Sequence, residues 1–163
     1  CGAGVTADDP FLASLRSQCA HPERVHLIGP RRDMPKVYPA FDIKTLTSAF
    51  GEGLPLSLTE AMACGVPGVA TDVGDSGAVV EGTGHCVPIG DPAALAAAWE
   101  KIMLLPPEAR AQLSQALRQR AESHYALPAI TARYEALHAD LIAAARPRAS
   151  AGPRGIPHAA PAR

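Results

Sequence analysis

The chain has 163 residues, 47% of them apolar and 4% aromatic, enough for one sizeable core and no more than one ordinary domain. No apolar run has the length to cross a bilayer and none reads as a signal peptide, which argues against a membrane-spanning class. The formal net charge of −1 is unevenly divided: Arg146, Arg148, Arg154 and Arg163 give an acid-free tail +4 and leave −5 on the rest. A body with that balance has no footprint for nucleic acid. In chain order the elements alternate in the βαβ manner. Residues 11–19 read as a helix opened by Asp8-Asp9-Pro10, residues 25–28 as a strand, and residues 34–40 as a short helix. A strand at 43–47 leads into a loop and a helix that Pro55 opens at its first position and Gly65 ends as a left-handed cap. A strand at 68–71, a short helix at 75–80 and a short strand at 86–89 follow, then helices at 92–104, 107–123 and 128–144.

These elements predict an α/β fold: part of a Rossmann-like, doubly wound parallel sheet with helices at its C-terminal side. Two residues go against the pattern. Lys44 stands in a strand expected to be buried on both faces, and Gly68 weakens a strand interior. The last helix carries Ile130, Tyr134, Leu137 and Leu141 at spacings of three and four, read as a core-packing face. From Arg146 the Pro, Ala, Gly and Arg composition lacks the apolar content to fold, so residues 146–163 are expected to be a disordered tail. Its arginines have a second reading, contact with an anionic membrane surface. Cys64 and Cys86 read as small buried residues of a reducing cytosol. Cys19-Ala-His21 and His85-Cys86 lack the paired spacing usual in zinc sites, so no metal is expected.

The chemistry concentrates in Glu52-Gly-Leu-Pro-Leu-Ser-Leu-Thr-Glu60. Glu52 lies on the loop ahead of the helix and Glu60 on its second turn, eight positions on. Between them lie the free first-turn N–H groups and the positive end of the helix dipole. That geometry suits a ligand with hydroxyls at both ends and phosphate in the middle, as in a nucleotide-sugar. The alternative is two ordinary charges, one dipole-favoured and one on a solvated helix face. In a doubly wound sheet ligands bind at the carboxyl ends of the strands, where residues 29–33, 48–53 and 71–77 converge.

The pattern resembles the retaining glycosyltransferases of the GT-B fold, family 4 in particular. The likeness is carried by Val25-His-Leu-Ile-Gly29, the Asp42 strand, Gly51-Glu-Gly-Leu-Pro55, Glu60-Ala-Met-Ala-Cys-Gly65, Pro67 to Gly74 and Gly90-Asp-Pro-Ala-Ala-Leu95. It implies that residues 1–145 are the nucleotide-sugar-binding C-terminal domain, truncated at its N-terminus and lacking the acceptor-binding half. Glu52, also the candidate catalytic residue, and the backbone at Gly53, Leu54 and Leu56 would hold the donor sugar. The amides of Ser57, Leu58 and Thr59 would lie near the diphosphate, and Glu60 would bind the ribose. Pro30, Arg31 and Met34 would face the base, although Arg31 and Arg32 read equally well as surface charges. The Gly74-Asp75 turn would support the pocket wall.

The implied reaction moves a hexose from a nucleotide diphosphate sugar, a UDP-sugar or GDP-mannose, to a glycan or lipid-linked acceptor. It needs no metal or further cofactor. The implied location is the cytoplasm, with the inner membrane face as a peripheral contact. The basic Arg and Lys pair that the family places on an earlier strand-loop is absent from these residues. This fragment alone is therefore expected to be inactive. The alternative is a nucleotide-binding remnant or subunit of a split transferase. A glycosidase reading of the two carboxylates predicts no nucleotide binding. A dehydrogenase reading lacks the Gly-x-Gly-x-x-Gly turn.

Overall fold

The computed structural model describes residues 2, 4–6 and 8–145. The chain divides into two compact units, Cys1–Ser123 and His124–Arg163. In the first unit, strands β1 (Lys44–Leu46), β2 (Gly68–Thr71) and β3 (His85–Val87) form a parallel sheet in the order β1-β2-β3. Lys44 pairs with Gly68 and Leu46 with Ala70, while Val69 pairs with His85 and Thr71 with Val87.

The helices start where the sequence supplies a cap. Asp9 accepts hydrogen bonds from the Phe11 and Leu12 amides at 2.9 and 3.0 Å, opening α1 (Pro10–Ser17). Asp91 does the same for the Ala94 amide at 2.8 Å in α5 (Pro92–Met103). In both, proline occupies the first turn, where a missing N–H costs nothing. Between them lie α2 (Met34–Val37), which runs into a 3₁₀ turn at Tyr38–Ala40, α3 (Leu56–Ala63) and α4 (Ser76–Val80). The long helix α6 (Pro107–Tyr125) crosses the boundary between the units, and α7 (Leu127–Ala145) belongs to the second.

Alternation along the strands puts helices on both faces of the sheet, which is what doubly wound means. On one face Val69 and Val87 pack with Ala98 and Ile102 of α5, with Ile43 against the same cluster. Thr45 shares that face and accepts a hydrogen bond from the Trp99 indole at 2.9 Å. On the other face lie α3 and α4, and here Gly68 finds its reason. A Cβ at Gly68 would stand 3.1 Å from Val80 Cγ1 and 3.2 Å from Leu58 Cδ2. The helices approach so closely that any Cβ here would press on both methyl groups, a contact glycine avoids. Gly65 ends α3 in the left-handed region at φ +78°, as expected.

Four expectations are corrected. Residues 25–28 form no strand, because no described strand lies beside them to complete a ladder. Pro55 sits one position earlier than expected: it is the N-cap, with extended ψ of 97°, and Leu56 is the first helical residue. Cys86 is exposed rather than buried, since β3 is an edge strand, and Cys64 is half-buried. In α7 no residue is buried; Tyr134, Leu137 and Leu141 are exposed, and within its own unit one helix has no second described element to close a core over its apolar stripe. The expectation for residues 146–163 lies outside the described residues. No helix among the described residues is long and apolar enough to cross a membrane.

Candidate functional site

The loop from β1 to α3 is held by two hydrogen bonds from the segment at residues 71–75 and one within the loop itself. Thr71 at the end of β2 donates its hydroxyl to the Ser48 carbonyl at 2.5 Å. Ser48 Oγ in turn donates to Glu52 Oε1 at 2.6 Å, so the end of the central strand fixes the half-buried carboxylate through Ser48. The Asp75 amide donates to the Gly53 carbonyl at 3.0 Å. Gly74, at φ +55°, lies so close that a Cβ would strike the Glu52 and Gly53 carbonyl oxygens. The Gly74-Asp75 turn thus supports the loop through backbone, as its position in the sequence suggests.

Past Pro55 the first turn of α3 opens toward a cleft of about 400 Å³. Ser57 lines it from α3, Lys44 and Thr45 from β1, and Pro30, Arg31 and Met34 from the segment opposite. The three residues expected at the base and one expected at the diphosphate are therefore brought to one cavity. Leu58 and Thr59, expected beside Ser57, are buried, and their amides donate to the Pro55 carbonyl at 3.0 and 3.4 Å. The first-turn amides with no carbonyl inside the helix to meet are those of Leu56 and Ser57. Gly53, Leu54 and Leu56 are exposed along the loop and first turn.

Lys44 and Tyr38 are the residues that sequence reasoning did not place. Lys44 lies on the α3 face of the sheet, opposite in side to Ile43 and Thr45, and its ammonium donates to the Thr45 carbonyl at 3.1 Å. Burial holds its pKa below the usual lysine value, and the Glu52 carboxylate offsets part of that. Its oddness in a buried strand is thus resolved: it lines a cleft. Tyr38 is 3% exposed and donates its hydroxyl to Glu60 Oε2 at 2.9 Å. The signal for Tyr38 was its place four residues after Met34, on the same helical face. Its partner lies 22 residues away in sequence, beyond any local pattern. Arg31 spends its guanidinium on Asp33, in a two-pronged pair at 2.8 and 2.7 Å. Among the described residues, no group of three or more His, Cys, Asp or Glu is arranged to hold a metal.

A parallel sheet covered on both faces, with a cleft lined by β1, the first turn of α3 and the segment at residues 30–34, defines a doubly wound class of α/β domain. The family model described as "Glycosyl transferases group 1" matches residues 2–104, and the chain belongs to that family. Among solved structures it is similar to sucrose-phosphate synthase from Thermosynechococcus elongatus, at 31% identity and TM-score 0.69, over 82% of this chain and 34% of that one. HepE from Anabaena in complex with UDP matches with TM-score 0.72 and 22% identity, over 85% of this chain and 39% of that one. The same Anabaena protein in complex with UDP-glucose matches at 24% identity and TM-score 0.69. The chain thus spans between a third and two-fifths of the length of these structures. No curated protein matches it.

Proposed function

We propose that this chain supplies the donor site of a retaining, family 4-like glycosyltransferase. Residues 1–145 serve as the C-terminal, nucleotide-sugar-binding domain of a GT-B protein. The observation that carries this reading is one cleft shared by Pro30, Arg31, Met34 and Ser57 in the first turn of α3, with Glu52 on the loop ahead of that turn and Glu60 just after it. It is supported by family membership and by neighbours whose structures hold UDP and UDP-glucose. The donor is a UDP-sugar, with GDP-mannose as the other candidate, and no further cofactor takes part. The acceptor is a glycan or lipid-linked sugar, met at the cytoplasmic face of the membrane.

The chemistry is electrostatic. As the bond from the anomeric carbon to the diphosphate breaks, negative charge grows on the leaving phosphate and positive charge on the sugar ring. The Leu56 and Ser57 amides are fixed at the helix N-terminus and meet the phosphate charge without reorganising. Lys44 adds a cation to the same cleft. Glu52, held by Ser48, faces the sugar, where a carboxylate stabilises an oxocarbenium-like centre and orients hydroxyls. Glu60 accepts from the ribose.

The test uses UDP and UDP-glucose as calorimetric probes of this chain. Glu60→Ala weakens both by about tenfold or more, because each carries the ribose. Glu52→Ala weakens UDP-glucose and leaves UDP unchanged. Unaltered affinities in Glu60→Ala remove the ribose assignment, and equal losses for both probes in Glu52→Ala take Glu52 away from the sugar.

A further inference from the structure

Glu60 is exposed on the second turn of α3, and a free glutamate there samples many rotamers. It is not free. The Tyr38 hydroxyl holds Oε2 at 2.9 Å, and Oε1 has no partner among the described residues. Tyr38 itself cannot move: its ring is buried with Ala61 and Val66, and Phe41 packs edge-on against it at 6.0 Å. The Tyr38 amide donates to the Met34 carbonyl, and Met34 packs against the same cluster. One helical turn therefore joins a wall of the cleft to the carboxylate of α3.

From this geometry we infer that Tyr38 is the positioning residue of the ribose subsite. It pins one oxygen of Glu60 so that the other is presented to the two ribose hydroxyls of a nucleoside diphosphate. The inference rests on the donor-site reading above and deepens it. A hydrogen bond to a charged acceptor is strong enough to set a side-chain conformation, and a carboxylate oxygen so engaged still leaves its partner oxygen able to accept. Burial and the Glu60 contact push the Tyr38 pKa up to about 12, so the hydroxyl stays a donor across the working range of pH. The link also ties base to ribose: a ligand that displaces Met34 acts on Glu60 through a single turn.

The test compares UDP with 2′,3′-dideoxy-UDP on this chain, by calorimetry. The wild type prefers UDP. Tyr38→Phe keeps the buried ring, and the preference falls roughly five- to tenfold while dideoxy-UDP binds as before. In a Glu60→Ala background the preference is already lost, and Tyr38→Phe changes nothing further. If Tyr38→Phe keeps the full preference, or lowers affinity for both probes equally in both backgrounds, Tyr38 is only a core residue and the inference fails. If the wild type binds neither probe, or does not distinguish them, the donor-site reading fails first and takes this inference with it. A glutamate that positions itself and a glutamate that is not at the ribose are thereby told apart.

Discussion

The two sides of the cleft are built differently. The α3 side is held by contacts between residues far apart in sequence: Thr71 to Ser48, Asp75 to Gly53, and Tyr38 to Glu60. The side opposite, residues 29–33, combines one local contact with one distant one. Its ion pair runs between Arg31 and Asp33, two positions apart, and its base is tied by a backbone hydrogen bond from the Gly2 amide to the Gly29 carbonyl at 3.0 Å. A site that must stabilise charge in a fixed place needs rigid donors, because reorganisation during the reaction would cancel the gain. A wall that selects among bases needs only to be shaped, and a local segment can be reshaped without disturbing the core. The molecule puts most of these long-range bonds where the chemistry of the proposed reaction is common to all donors.

The largest effect that this contrast predicts is at Gly74. Gly74→Ala places a Cβ against the Glu52 and Gly53 carbonyl oxygens, at a φ of +55° that alanine resists. Backbone cannot yield as a side-chain tip can, so the loop must shift or the chain loses stability by roughly 2–4 kcal/mol. Thermal melting should show the drop, and UDP-glucose affinity should fall with it. A variant that melts and binds like the wild type shows that the loop is not set by this turn. The long-range side would then be no more rigid than the other.

A smaller, two-signed effect is expected at Lys44. Its ammonium is half-buried on the α3 face with its pKa held down, so the folded state binds that proton less tightly than the unfolded chain does. Wild-type stability therefore rises with pH between the depressed value and the ordinary lysine value near 10.5, and is lowest on the acid side of that interval. Lys44→Met removes the dependence and raises Tm at pH 7 by roughly 2–4 °C. It also weakens UDP binding several-fold while sparing uridine, if the ammonium faces phosphate. Stability gained with no loss of affinity makes Lys44 a structural accident of the strand. Loss of both makes it a packing residue.

How much of this was legible in the sequence follows the same division. The helices were legible because their signals are local: Asp-Pro starts at residues 9–10 and 91–92, and a glycine stop at 65. The Glu52 to Glu60 spacing was legible because a loop and one helix contain it. Gly68 was noticed and not explained, since its reason is the approach of α3 and α4, made by residues 10 and more positions away. The strand expected at 25–28 failed for a related reason. Its apolar run is real, but a parallel strand exists only through a neighbour, and no described strand takes that place. Tyr38 was passed over because nothing near it in sequence announces an acceptor on α3.

The smallest effect, and the one that sharpens the contrast most, belongs to Arg31. Its pair with Asp33 is exposed, at 43% and 42% side-chain exposure, so screening leaves it little to contribute to stability. The pairing lowers the Asp33 pKa and raises that of Arg31. Whatever it contributes is present above the ordinary aspartate range and fades as acid protonates Asp33. Arg31→Ala should then shift Tm by less than about 2 °C at pH 7. Binding is the informative readout. Arg31 and Ser57 both line the cleft, and on the proposed donor-site reading removing Arg31 alters the shape and charge presented to a base and not the seat of the phosphates. The ratio of UDP to GDP affinity should change by roughly two- to fivefold, with dideoxy-UDP following UDP. If both nucleotides lose affinity alike, Arg31 acts on phosphate, and the local side shares the task of the rigid one. If neither changes, Arg31 is an ordinary surface charge and base selection rests on Pro30, Met34 and the backbone between them.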